Sequence, residues 1–210
     1  TTPIKNGHYR YAEDVEVILF PYAFNDGPVH VVDLTEEDQF LPPKVLNALT
    51  DPSYVKVFHN SAFDRAVIRE GLGVDIPVEQ IHDTMIQALA HAMPGSLAKL
   101  CEVLGVDLKD AKHETGKNLI QKFCKPAPRN WTLKRATKDT HPEDWADFVK
   151  YARSDITAMR TCYKKMPTWN YRFYPPSTEP SDAGEYERLL WVLDQKINDR
   201  GFEVDIDLAK

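Results

Sequence analysis

Hydrophobic and polar positions alternate between strand-like and helix-like rhythms along this chain. Glu16 to Phe24 and His30 to Leu34 are rich in β-branched and aromatic residues, and Asn25-Asp26-Gly27-Pro28 separates them. Such turn chemistry between two apolar runs predicts a hairpin-like pair of strands. Pro42 to Leu49 reads as a short helix opened by prolines, which a first helical turn tolerates. Tyr54 to Phe58 predicts a further strand, and Ser61 is placed to cap a helix running to about Glu70. Asp83 or Thr84 starts a helix toward His91 that Pro94-Gly95 stops. Ser96 is placed to cap Leu97 to Leu104, which Gly105 ends. Thr115 to Phe123 is another helical stretch. The longest predicted helix is Pro142 to Met166, with Pro142 at its first position and Glu143 and Asp144 in an acidic first turn. Its apolar stripe is Trp145, Phe148, Val149, Ala152, Ile156, Met159, Tyr163 and Met166. Strands alternating with helices place the chain in the α/β class.

Pro175 to Gly184 is a linker by composition. A new amphipathic helix follows, with Tyr186, Leu189, Leu190, Val192, Leu193 and Ile197 on one side, and it stops at Gly201. This tail is too short for a core of its own and reads as the start of something larger. The organisation predicted is therefore a principal domain over 1–174, a linker over 175–184 and the beginning of a second region over 185–210.

With 210 residues, 42% hydrophobic and 28% charged, the chain suits one well-buried globular domain. No apolar run approaches the ~18 residues of a membrane span, and the N-terminus has no secretory pattern. Cys101, Cys124 and Cys162 are far apart and odd in number, which argues against a disulfide framework or a paired-cysteine zinc site. Free thiols point to a reducing, cytoplasmic setting. Net charge is −6, unevenly spread: nine Lys and Arg against Asp110 and Glu114 give Lys109 to Lys138 a charge of +7, leaving −13 elsewhere. An enzyme that guides a phosphate backbone with one face and holds cations with another would show this asymmetry, and so would an ordinary solvated surface.

Two short patterns carry candidate chemistry. His59-Asn60-Ser61-Ala62-Phe63-Asp64 lies at a strand-to-helix junction, so Asp64 falls in the first helical turn, near the end of a strand where α/β sites gather. Tyr151-Ala152-Arg153-Ser154-Asp155 lies inside the long helix, and residues four apart point into the same space. Both Tyr151 and Asp155 flank the apolar stripe, so Asp155 is expected to be half-buried. A half-buried carboxylate needs a partner, and a divalent cation is the strongest candidate. Taken singly, each pattern has a plainer explanation: a surface aspartate beside a packed tyrosine, or a helix cap.

In this order and spacing, HNSAFD and YARSD resemble the second and third motifs of the DEDD exonucleases, in the subclass with tyrosine in the third. The stretches NGHYRYAEDVEVILFPYAFNDGPVHVVD, IHDTMIQALAHAMPGSLAKLCEVLGV, GKNLIQKFCKP, PEDWADFVKYARSDITAMR and LDQKINDRGFEVD are similar to phage-type family A DNA polymerases, over nearly the whole chain. The resemblance implies a ribonuclease-H-like mixed sheet flanked by helices, with a polymerase domain whose first segment begins at Glu185. It implies two-metal hydrolysis, with Mg²⁺ or Mn²⁺, of the 3′-terminal phosphodiester of single-stranded DNA, in the cytoplasm of a bacterial host. Asp155 would bind the nucleophile-side metal, Asp64 the second metal, and Tyr151 would orient the attacking water. Asn60 would contact the terminal nucleotide, unless it merely caps the following turn. Asp83 also matches a family position, but a helix cap explains it. Lys117, Lys122 and Lys125 are expected to line the DNA path. Trp131 or Phe123 could stack on bases, with a core role favoured for Phe123.

The family's first motif, Asp-x-Glu at the end of an apolar strand, would fall just upstream of Ile4-Lys5-Asn6-Gly7, and the sequence starts at Thr1. Asp14-Val15-Glu16 has the right spelling but precedes its strand, and reads as a decoy. The expectation is a sheet lacking its first central strand and little exonuclease activity from this chain by itself, because cation affinity grows with ligand count. Two alternatives remain: a non-catalytic scaffold or single-strand-binding module of the same fold, and an RNA-trimming exonuclease of the same subclass, which the polymerase-like tail disfavours.

Overall fold

The computed structural model describes residues 4–36, 38–106, 113–125, 135–167 and 183–209. A short helix α1 (His8–Ala12), too brief to carry an apolar stripe, precedes the hairpin. In the hairpin β1 (Leu19–Tyr22) pairs antiparallel with β2 (His30–Asp33). Phe20 stands opposite Val32 and both are buried, so the hairpin turns one face inward. These strands are shorter than the β-rich runs that predict them. Helix α2 (Pro43–Thr50) carries its proline in the first turn and buries Val45 and Leu49.

Next, β3 (Lys56–Phe58) leads into α3 (Ser61–Leu72), which returns the chain to β4 (Ile81–Asp83), parallel to β3 with Phe58 opposite Asp83. Parallel neighbours need such a crossover. The sequence pattern does not predict β4: it has three residues, and two of them, His82 and Asp83, are polar yet buried. Where the resemblance implies one mixed sheet, the described residues form two separate two-stranded pairs. The helices α4 (Thr84–Ala90), α5 (Leu97–Val103), α6 (His113–Cys124) and α7 (Pro142–Lys165) follow. Residues 126–134 and 168–182, including Arg129, Trp131, Lys134 and most of the predicted linker, lie outside the described residues, as do Lys109 and Lys112.

Three apolar clusters hold these elements. Phe20, Val32, Val45, Leu49, Ile68, Ile76 and Ile81 join the hairpin to α2, α3 and β4. Ala88, Leu100, Cys101, Ala158, Cys162 and Met166 join α4 and α5 to the C-terminal half of α7. Leu119 and Phe123 of α6 meet Trp145 and Phe148 in its N-terminal half. Full burial of each large side chain contributes about 1.5–3 kcal/mol. Helix α7 is thus gripped at both ends by different clusters, with Tyr151 packed at the edge of the one formed with α6 and Asp155 in the stretch between the two. Its buried face includes Ala158 and Cys162, which the predicted stripe omits. Cys101, Cys124 and Cys162 are all free; the first and third are buried, and Cys124 is exposed.

Helix α8 (Ala183–Arg200) folds back on this body. Arg188 Nη2 donates to the Glu79 carbonyl at 2.5 Å, Lys196 pairs with Glu79, and Trp191 packs against the first cluster. Asp199 accepts from Arg65 Nη2 at 2.6 Å and from the Tyr9 hydroxyl at 2.7 Å. The single apolar side predicted for this helix is in fact divided: Val192 is buried, while Leu189, Leu190, Leu193 and Ile197 are exposed. A last turn, α9 (Ile206–Ala209), ends the described chain. Among the described residues no helix is long and apolar enough to cross a membrane.

Candidate active site

The N-terminus of α3 is organised by a carboxylate from another element. Asn60 stands at the N-cap with left-handed backbone (φ 69°), and its side chain makes no capping hydrogen bond. Ser61, expected as the cap, lies inside the helix and is fully buried. Asp83, at the end of β4, supplies the cap instead. Its Oδ1 accepts from the amides of Asn60 (3.0 Å) and Met85 (2.8 Å), and its Oδ2 accepts from the amide and hydroxyl of Ser61, both at 2.7 Å. One carboxylate therefore caps two helices, α3 and α4, where their unpaired amides and positive dipole ends favour a negative charge. The β3–β4 register, with Phe58 opposite Asp83, brings this carboxylate to the start of α3. His59 ties the same junction to its surroundings, with Nδ1 2.9 Å from Thr84 Oγ1 and Nε2 2.9 Å from the Gly95 carbonyl.

One turn into α3, Asp64 is half-buried. Burial, and then the nearby charge of Asp83, push its carboxyl up to about 7. On α7, Tyr151 and Asp155 stand one turn apart on the same side of the helix, close enough for each to perturb the other. Burial pushes Asp155 up to about 6 against the opposing influence of the Tyr151 side chain, and burial together with the Asp155 charge pushes the Tyr151 phenol up to about 12. Tyr151 and Asp155 thus share one neighbourhood, and Asp64 and Asp83 another. Among the described residues neither Asp64 nor Asp155 forms an ion pair with a lysine or arginine, and no group of three or more His, Cys, Asp or Glu is placed to hold a metal. Two half-buried carboxylates whose charge is opposed by desolvation suit a hard divalent cation, which would favour their ionised form.

The basic segment is partly neutralised from outside. Arg135 makes a two-pronged bond with Glu16, 2.7 Å on each arm, Lys122 pairs with Asp144, and Lys138 pairs with Glu36. Lys117 and Lys125 are exposed and in no ion pair among the described residues. Glu16, the last residue of the Asp14-Val15-Glu16 triplet, is thereby committed to Arg135. Phe123 is 2% exposed and stacks at 5.4 Å on Phe148, which makes it core.

Sequence reasoning saw Asp83 as a cap for α4 but not its reach to Asn60 and Ser61, for which no local signal exists. It also passed over Gly116. A glycine inside a helix-forming run, costing about 1 kcal/mol against alanine, was the available signal. Gly116 is buried against the Tyr151 ring.

A family profile described as 3′–5′ exonuclease matches residues 6–168. The chain is also 34% identical, over 212 residues, to a DNA polymerase of Bacillus phage SP02; the match covers 99% of this chain and 30% of that protein. The chain thus spans about a third of the length of this relative. No solved structure matches it.

Proposed function

The chain belongs to the 3′–5′ exonuclease domain family of the family A DNA polymerases, and from that membership we propose that it hydrolyses the 3′-terminal phosphodiester of single-stranded DNA as the proofreading portion of a longer polymerase. On this reading residues 1–174 are the exonuclease domain, 175–184 a linker and 185–210 the first segment of the polymerase region. The observation that carries the proposal is the pair Tyr151 and Asp155, half-buried one turn apart on the same side of α7, each shifting the titration of the other.

Asp155 and Asp64 are the carboxylates assigned to Mg²⁺ or Mn²⁺, whose preference for oxygen ligands matches them. When bound, such ions would supply Lewis-acid charge for phosphodiester hydrolysis and would lower the pKa of the attacking water. Tyr151, held near 12, keeps its phenolic proton at neutral pH. It therefore orients water through a hydrogen bond and does not act as a base. Asn60, a left-handed residue with an exposed side chain and an amide anchored by Asp83, is the residue assigned to the terminal nucleotide. Lys117 and Lys125 offer exposed positive charge to the strand, while Lys122, already paired with Asp144, offers less.

The test is Mg²⁺-dependent shortening of a 3′-labelled single-stranded oligonucleotide by the polymerase that carries this domain. Asp155→Ala should abolish shortening and leave polymerisation intact; undiminished shortening would refute the assignment. One observation favours a non-catalytic single-strand-binding module: no three ligand-type side chains cluster among the described residues. A Mn²⁺ titration separates the two readings, because saturable binding lost in Asp155→Ala belongs only to the enzyme.

A further inference from the structure

Helices α6 and α7 run antiparallel. Gly116 meets Tyr151 at one end of their seam, and at the other Phe123 lies edge-on to Trp145, with ring centroids 4.9 Å apart. Between these points Leu119 and Phe148 share one apolar cluster, and Lys122 pairs with Asp144. Residues 116, 119 and 123 are spaced so that one face of α6 makes the whole seam. At the phenol the seam leaves no room for a side chain. A Cβ built on Gly116 would lie 2.2 Å from Tyr151 Cε2, 2.6 Å from Cδ2 and 2.7 Å from Cζ. Carbon atoms prefer separations of roughly 3.5–4.0 Å, so any side chain there drives the ring away by more than about 1 Å. Two of the three nearest atoms, Cε2 and Cζ, belong to the hydroxyl-bearing end. The backbone of Gly116 gives no other reason for glycine, since it is helical and outside the positive-φ region.

We propose that Gly116 is a positioning residue for the exonuclease reaction: its bare backbone is the surface against which the Tyr151 ring rests, and this fixes where the phenolic oxygen stands relative to Asp155. The proposal rests on the reading of Tyr151 as the water-orienting group. It also gives the GKNLIQKFCKP stretch a task in the site beyond its positive charge. The glycine admits the ring, and Leu119 and Phe123 hold α6 at the distance that keeps it there.

The test uses the full polymerase and single-stranded 3′-labelled oligonucleotide. Gly116→Ala should lower exonuclease kcat about 10²-fold, the loss that ~1 Å of misplacement produces, while KM and the polymerisation rate stay unchanged. Added to Tyr151→Phe, which lacks the oxygen to be placed, the same change should cost little more. Thermal unfolding gives a second readout. Alanine is the better helix former, so Gly116→Ala should lower Tm with the ring present and raise it in a Tyr151→Ala background. Should Gly116→Ala fail to fold, recovery of folding in the Gly116→Ala/Tyr151→Ala pair supports the contact, and continued failure overturns it. A normal kcat for Gly116→Ala beside an impaired Tyr151→Phe overturns the proposal alone, as does a full additive loss in the double variant. A normal kcat for Tyr151→Phe overturns the role of Tyr151 and the proposal with it.

Discussion

Replacing Asp83 by asparagine tests how much of the α3 junction depends on one charge. The carboxylate accepts four hydrogen bonds, from Asn60 N, Ser61 N, Ser61 Oγ and Met85 N, and is 4% exposed. An amide of the same shape keeps one oxygen, able to serve Asn60 and Met85. It turns an NH₂ toward Ser61, whose own amide then has no acceptor. A buried donor left unsatisfied costs about 1–3 kcal/mol. Loss of the negative charge at two helix N-termini costs roughly 0.3–1 kcal/mol for each helix. The release of a desolvated charge offsets part of this, so a net loss of about 2–4 kcal/mol is expected, a large share of an ordinary domain's stability. Asp83→Ala should cost more, since it orphans every donor. Urea denaturation followed by circular dichroism at pH 7 measures both. Below about 1 kcal/mol for Asp83→Asn, the double cap would be a geometric accident and Asn60 would owe its placement to something else.

The two candidate metal ligands give the metal-free protein a characteristic pH response. Their folded pKa values, about 7 for Asp64 and about 6 for Asp155, lie above the ordinary 3.8. The folded state therefore holds more protons than the unfolded one between about pH 4 and 7, and stability falls as pH rises through that window. At pH 8 in chelator, Asp64→Asn and Asp155→Asn should each be more stable than the parent, by roughly 3–4 kcal/mol before local relaxation, and Mg²⁺ or Mn²⁺ should raise the parent's Tm there but not at pH 5. Equal stabilities of parent and variants at pH 8 would remove the ground for a cation at these carboxyls. For the DNA path, Lys117→Ala and Lys125→Ala should each reduce the salt slope of single-strand binding by about 0.7, and Lys122→Ala by less. Filter binding across a salt series checks this, and unchanged slopes would return both lysines to the solvated surface.

Helix α7 was legible because its signals agree: Pro142 and an acidic first turn at the start, a long apolar stripe, and Pro167 just past the end. The Tyr151/Asp155 pairing follows from helical spacing alone, and the half-burial of Asp155 from its position on the flank of the stripe. Strand β4 was not legible, because three residues carry no period and the burial of His82 and Asp83 is decided by partners elsewhere. His82 lies 2.5 Å from Gln87 Oε1, and Asp83 meets the α3 amides. Helix α1 was missed for its shortness. The apolar side of α8 was overcounted, since periodicity reports that a face is hydrophobic without saying which part of it finds a neighbour. The sum of charge over the basic segment was correct, yet three of its described members, Lys122, Arg135 and Lys138, are matched by Asp144, Glu16 and Glu36 from other parts of the chain.

Alone, the order of residues determined that Asp64 falls in the first turn of a helix that follows a strand, that a phenol and a carboxylate share one side of a long helix, and that positive charge gathers in one segment. These follow from backbone periods acting over a few residues. Tertiary structure decided that Asp83 would cap two helices, that Tyr151 would rest on the bare backbone of Gly116, and which lysines would remain available to a phosphate. Each of those depends on the meeting of distant segments, where a difference of one methyl group or one ångström changes the outcome. A linear pattern of hydrophobic and polar positions carries no distances of that kind.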